Sequence, residues 1–171
     1  MSSSTGEKSI RTAYLDASAI VKLLVNEDGS DVVRDYVSRH SVFATTQLCF
    51  AETLGALKLK FIHQLLSREQ YLAACADLMA HLRGQTLEIE DIGISASTIF
   101  DEVERVAAKH ALDVSDAYQL LTLQRGAFSS LTGDSRPILI TADRDLAAAA
   151  RKEGLRVWDC LREPAPAERH V

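Results

Sequence analysis

Five short apolar runs alternate with longer segments of helical period, and this alternation constrains the fold more than any other feature of the chain. The runs fall at 11–16, 41–44, 86–90, 137–141 and 155–158. A strand covered on both faces of a parallel sheet needs this near-continuous apolar character. Between the runs, apolar residues recur at three- and four-residue spacing. Val32, Val33, Tyr36 and Val37 form one stripe, and Ile99, Phe100, Val103, Val106 and Ala107 form another. Ser67-Arg68-Glu69-Gln70 has the capping-box pattern, with Tyr71, Leu72, Cys75, Leu78, Met79 and Leu82 as the stripe behind it. Such alternation predicts a three-layer α/β/α sandwich around a mainly parallel sheet of four to five strands.

The length of 171 residues allows one domain with a substantial core, and there is no internal repeat, linker or low-complexity block. The folded domain is expected over 11–160, between disordered polar ends at 1–10 and 161–171. The opening MSSSTGEKS has no apolar h-region, and no apolar stretch is long enough to span a bilayer, so a soluble cytoplasmic protein is expected. Cys49, Cys75 and Cys160 stand far apart without a CxxC, which argues against a disulfide framework or zinc cluster and for small core residues. The five histidines, at 40, 63, 81, 110 and 170, lack metal-ligand spacing. A net charge of −5 argues against a general basic coat for nucleic acid. It leaves room for a nucleic-acid enzyme whose metal site is itself acidic.

Four acids stand where a structural role explains them poorly. Asp16 ends the first apolar run, and Asp143 follows the run 137–141. Glu52 falls among Leu48, Ala51, Gly55, Leu59 and Ile62, which share one face of a helix starting near Thr46. Asp116 lies one turn before Leu120, on a face shared with Leu123 and Ala127. No Lys or Arg one turn away on the same face neutralises Glu52 or Asp116, and an unpaired buried carboxylate is costly. In an open parallel sheet these positions gather along the carboxyl edge, where ligands bind. Four converging carboxylates repel one another unless a cation joins them. Oxygen-only ligands favour Mg²⁺ or Mn²⁺ over Zn²⁺. Metal-dependent phosphodiester hydrolysis is the reaction class that suits a site made of acids alone.

At these residues the chain resembles the PIN-domain nucleases, and within them the VapC-like toxins of bacterial toxin–antitoxin pairs. The matching elements are Tyr14-Leu15-Asp16-Ala17-Ser18-Ala19, Ala51-Glu52, Ser115-Asp116-Ala117 and Thr141-Ala142-Asp143, spread over roughly 11–160. The resemblance implies Mg²⁺- or Mn²⁺-dependent cleavage of RNA, frequent homodimers, and, in the toxin branch, an antitoxin protein that blocks the groove. It carries over Asp16, Glu52, Asp116 and Asp143 as the acidic quartet, with Ser18 and Thr141 as supporting hydroxyls. The segment GAFSSLTGDSRP, before the last motif, is longer than a minimal connection.

Plainer roles stand beside these. Asp113 reads as a helix cap and Asp145 as a first-turn acid. Asp16 has capping chemistry of its own. Trp158 reads as core. Lys22, Lys58, Lys60, Arg68, Arg125 and Arg144 are candidates for phosphate contact, although scattered cations usually serve only a solvated surface. Phe50, Leu54, Leu57 and Phe61 form a second apolar stripe on the Glu52 helix, read either as core or as a dimer or antitoxin face. A phosphorelay receiver needs paired acids after the first strand, and a haloacid-dehalogenase-type phosphatase needs Asp-x-Asp there. Asp16-Ala17-Ser18 supplies neither, and the GxGxxG of a dinucleotide-binding fold is missing. The rival of another class is a PIN-like module that binds RNA or protein without cleaving, which would be expected to have lost acids. A housekeeping RNA-processing nuclease would share the toxin's site.

Overall fold

The structure, a computed structural model, describes residues 12–40 and 42–167, so the expected disordered segment 1–10 lies outside the described residues. Five strands form one all-parallel sheet: β1 (Thr12–Leu15), β2 (Val42–Thr46), β3 (Leu87–Glu90), β4 (Ile138–Thr141) and β5 (Arg156–Asp159), in the order β3-β2-β1-β4-β5. Each matches one of the five apolar runs. Seven α-helices lie among the described residues: α1 (Ala17–Leu24), α2 (Ser30–Val37), α3 (Gln47–Ile62), α4 (Arg68–Arg83), α5 (Ser97–His110), α6 (Val114–Arg125) and α7 (Arg144–Lys152).

Strand pleating divides the core into two layers. Ala13 and Leu15 of β1, Ile138 and Ile140 of β4 and Trp158 of β5 face α1, α2 and α4. Tyr14, Ala44 and Leu139 point to the other face, against Leu120 and Leu123 of α6 and Leu146, Ala149 and Ala150 of α7. The sandwich is therefore the expected α/β/α one. Trp158 is core, with its ring 4.8 Å from that of Tyr36. The cysteines are all free, Cys49 and Cys160 buried and Cys75 partly so. The capping box at Ser67 and Gln70 is formed. Among the described residues no helix is long and apolar enough to cross a membrane.

Three local expectations are corrected. On α3 most of the stripe Leu48, Ala51, Gly55, Leu59 and Ile62 is turned outward: Ala51 and Gly55 are exposed, Leu59 and Ile62 are 56% and 57% exposed, and Leu48 packs on the buried cluster of Val103, Ala117, Tyr118 and Leu121. The inward face carries Cys49, Thr53 and Leu57, with Phe50 and Leu54 packed on the core beside them. Phe61 stacks on Tyr71 of α4. The helix is apolar on nearly all sides, so periodicity could not choose between the stripes. Ala127 leaves the face of Leu120 and Leu123 because α6 stops at Arg125, and two 3₁₀ turns, Ala127–Ser130 and Gly133–Ser135, take up the long connection. The last helix starts at Arg144, directly after its cap Asp143. Beyond β5, the start of the segment expected to be a free tail is tied down: Trp158 Nε1 donates to the Glu163 carbonyl at 3.1 Å, and Arg162 pairs with Asp159 at 3.0 Å.

Candidate metal centre

The chain crosses from one half of the sheet to the other between β1 and β4, the switch point where open parallel sheets hold ligands. Asp16 follows β1 and Asp143 follows β4, one on each side of it. Asp16 is 5% exposed and its Oδ2 gathers donors. Ser18 Oγ donates to it at 2.6 Å and Thr141 Oγ1 at 2.9 Å. The same two hydroxyls accept in turn: Ser18 Oγ from the Ala142 amide and Thr141 Oγ1 from the Asp143 amide, both at 2.9 Å. Ser18 and Thr141 therefore stitch the β1 end to the β4–α7 turn, which fixes Asp16 and Asp143 relative to each other. Both acids also cap helices. Asp16 caps α1, and Asp143 Oδ1 accepts from the Asp145 and Leu146 amides at 2.7 and 2.9 Å. Capping does not compete with a place in the centre, because each carboxylate has more lone pairs than its cap uses.

Glu52 comes from the second turn of α3, which starts directly after β2. The side chain is exposed rather than buried in a stripe, as the outward face of α3 requires. Its carboxylate is held by Ser115 on α6, whose Oγ donates to Glu52 Oε2 at 2.9 Å. Ser115, 8% exposed, thus holds one of the candidate acids, a contact the sequence did not reveal. Its partner lies 63 positions away, beyond the reach of any local pattern. Asp116 is the next residue. Its amide donates to Asp113 Oδ1 at 2.9 Å, so Asp113 is the cap of α6. Asp145 is an exposed first-turn acid of α7.

Asp116 lies within electrostatic reach of the other three acids. Asp116 has its pKa pushed up to about 8, first by burial and then by the charges of Asp16, Asp113, Asp143 and Glu52. Burial also raises the Asp16 carboxyl, against the Ser18 and Thr141 hydroxyls that favour its anion. Glu52 is raised by partial burial of its carboxylate, opposed by Ser115 and reinforced by Asp113 and Asp16. Among the described residues, no three His, Cys, Asp or Glu side chains close into a tight ligand cage. A hard cation such as Mg²⁺ does not ask for one, because it keeps several waters and takes one or two carboxylates directly. The donor set is all oxygen, and burial holds three of its carboxyls, those of Asp16, Glu52 and Asp116, above their ordinary range. These residues fit a hard divalent cation.

Most of the candidate phosphate contacts are engaged elsewhere. Lys22 is buried and pairs with Glu27 at 2.6 Å, as does Lys60. Lys58 lies over the rings of Phe61 and Tyr71, and Arg125 pairs with Glu102. Arg144 is exposed and directly follows Asp143, with Asp145 at 3.9 Å.

The PIN-domain family profile matches residues 13–152, a span that holds all four acids and their supporting hydroxyls. The chain belongs to the PIN-domain family. Members of this family are typically metal-dependent nucleases. Among solved structures, PAE2754 from Pyrobaculum aerophilum aligns with this PIN domain at a TM-score of 0.55 and 23% identity, over 89% of this chain and 92% of that one. That likeness is one of fold. No match was found among curated proteins.

Proposed function

We propose that this PIN domain is a Mg²⁺- or Mn²⁺-dependent endoribonuclease, the toxin of a toxin–antitoxin pair. The observation that carries the nuclease reading is the raised Asp116, surrounded at the sheet's switch point by Asp16, Glu52, Asp143 and Asp113. When bound, the cation lowers the pKa of a bound water and offsets charge on the phosphoryl oxygens. Asp16, Glu52, Asp116 and Asp143 hold it. Ser18 and Thr141 fix Asp16, and Ser115 fixes Glu52. Arg144, exposed beside Asp143, is placed to meet a phosphate. Next to Glu52, an open depression lined by Leu48, Ala51 and Val114 offers apolar contact to an unstacked base. The RNA preference and the toxin assignment rest on the family resemblance of the four motifs.

The same reading includes a homodimer and an antitoxin protein as partners. Its support is apolar surface left uncovered along α3 and α4, where Leu59, Ile62, Leu65 and Leu72 are each more than half exposed. Sedimentation of the purified chain tests the dimer, and a monomer at all concentrations contradicts it.

The enzymatic reading is tested with a panel of structured and single-stranded RNAs, with Mg²⁺, with Mn²⁺ and with chelator. Cleavage is expected only with metal, and it should weaken from low to high salt because binding depends on local cations and metal. Metal-independent cleavage, or no cleavage of any RNA, contradicts it. Ser115→Ala should lower kcat/KM by about ten-fold, the usual scale for a residue that orients a ligand. Full activity in that variant would remove Ser115 from the account.

A further inference from the structure

The last carbonyl of β1 is held in an unusual way. The paired register of β1 with β2 ends at Tyr14 opposite Ala44. Leu15, one step further, directly precedes Asp16. Its carbonyl accepts from two side chains: Thr45 Oγ1 at 2.7 Å and Gln119 Nε2 at 3.1 Å. Thr45 and Gln119 are both fully buried. Thr45 stands on β2, beside the strand end that leads into the Glu52 helix. Gln119 stands on α6, one turn after Asp116.

Gln119 is a poor choice for stability alone. Its amide sits in the apolar layer between the sheet and α6, and its Oε1 has no hydrogen-bond partner among the described residues. An unsatisfied buried amide oxygen is costly, and an apolar residue of similar volume would avoid that cost. What the amide does supply is a rigid link, through one hydrogen bond, between the segment carrying Asp16 and the helix carrying Asp116.

We infer that Gln119 is a positioning residue for the metal centre, setting the placement of Asp16 against Asp116 through the Leu15 carbonyl, with Thr45 as the second holder of the same atom. The inference rests on the metal-centre reading above. Gln119 touches neither metal nor substrate. It acts by fixing where β1 ends.

The test is Mn²⁺ binding, followed by the loss of the free-ion electron paramagnetic resonance signal, together with thermal unfolding of the same proteins. Gln119→Leu should weaken Mn²⁺ binding by about ten-fold while unfolding close to the wild-type temperature. Gln119→Met serves the same purpose if the Leu variant does not fold. Thr45→Val should weaken binding less. The double variant should exceed the product of the two single effects, because only then does the Leu15 carbonyl lose both donors. The control is Thr122→Val, which removes a buried hydroxyl bonded within α6, to the Tyr118 carbonyl at 2.8 Å. It should bind Mn²⁺ as the wild type does. Wild-type affinity in Gln119→Leu and Gln119→Met, or an equal loss in Thr122→Val, overturns the inference alone. A wild-type protein that binds no Mn²⁺ overturns the metal-centre reading and the inference with it.

Discussion

Asp116→Asn is expected to lower metal-dependent RNA cleavage by about 10³-fold, the scale on which loss of one preorganised charge-stabilising group acts, and to leave the fold intact. The substitution keeps the size of the side chain and removes its charge. Asp116 is the cleanest of the four acids for this purpose. Asp16 and Asp143 also cap α1 and α7, and Glu52 is tied to Ser115, so changes there mix site effects with local structure. Asp116 receives its own cap from Asp113 and caps nothing itself. Without metal, its charge is a burden, because burial and four acidic neighbours oppose it. The metal-free Asn variant should therefore melt above the wild type at pH 8. Lower activity with a higher metal-free melting temperature is the pattern of a site residue kept for function at the expense of stability. Cleavage by Asp116→Asn within a few-fold of wild type, measured by single-turnover kinetics at saturating Mg²⁺, would remove Asp116 from the centre.

The second expected result is a metal-free protein that loses stability as pH rises, and a metal that restores it. In the unfolded chain Asp116 ionises near 3.8, and in the fold near 8. Between those values the folded state holds a proton that the unfolded state has released. Stability from this group is therefore present in full at low pH, falls as pH rises from about 4 towards 8, and falls no further above that. Asp16 and Glu52, also raised, add in the same direction. Solvent screening at a half-buried group reduces the effect to the order of 1 kcal/mol between pH 6 and 8. Mg²⁺ at a hundred times its dissociation constant should add about 2.7 kcal/mol. At one fixed Mg²⁺ concentration the gain should be larger at pH 8 than at pH 6, since at pH 6 the ion must first displace protons. Melting curves with and without Mg²⁺ at the two pH values check this. A metal-free melting temperature that climbs from pH 6 to pH 8, or a Mg²⁺ gain that is larger at pH 6, contradicts it.

The fold was legible in the sequence because its signal is local. Ala13-Tyr14-Leu15 and Ile138-Leu139-Ile140 are continuous apolar runs, and a run buried on both faces has no other home than a parallel sheet. The four acids stood out in the sequence because Asp16 and Asp143 follow apolar runs and Glu52 and Asp116 sit among apolar helix residues, although Glu52 itself lies exposed on the outward side of α3. What failed to show is what depends on partners distant in the chain. Leu59 and Leu54 are both apolar positions of an all-round apolar helix, and only contact with α1 and α4 decides which faces inward. Ser115 and Gln119 each look like an ordinary helix polar residue until the fold brings Glu52 and the Leu15 carbonyl to them, across 63 and 104 positions. The cations deceived in the opposite sense. Lys22 and Lys60 look free in the sequence, yet both are taken by Glu27.

Four acids, from the residue after β1, from α3, from α6 and from the β4–α7 turn, are assigned here to one divalent-cation site. Calorimetric titration of the metal-free protein with Mn²⁺ at pH 7 tests it most directly, run in two buffers of different ionisation enthalpy, on the wild type and on Asp16→Asn, Glu52→Gln, Asp116→Asn and Asp143→Asn. The wild type is expected to bind Mn²⁺ with release of protons, each single variant to bind more weakly, and proton release to shrink most in Asp116→Asn. No binding by the wild type, or binding that none of the four substitutions weakens, would contradict it.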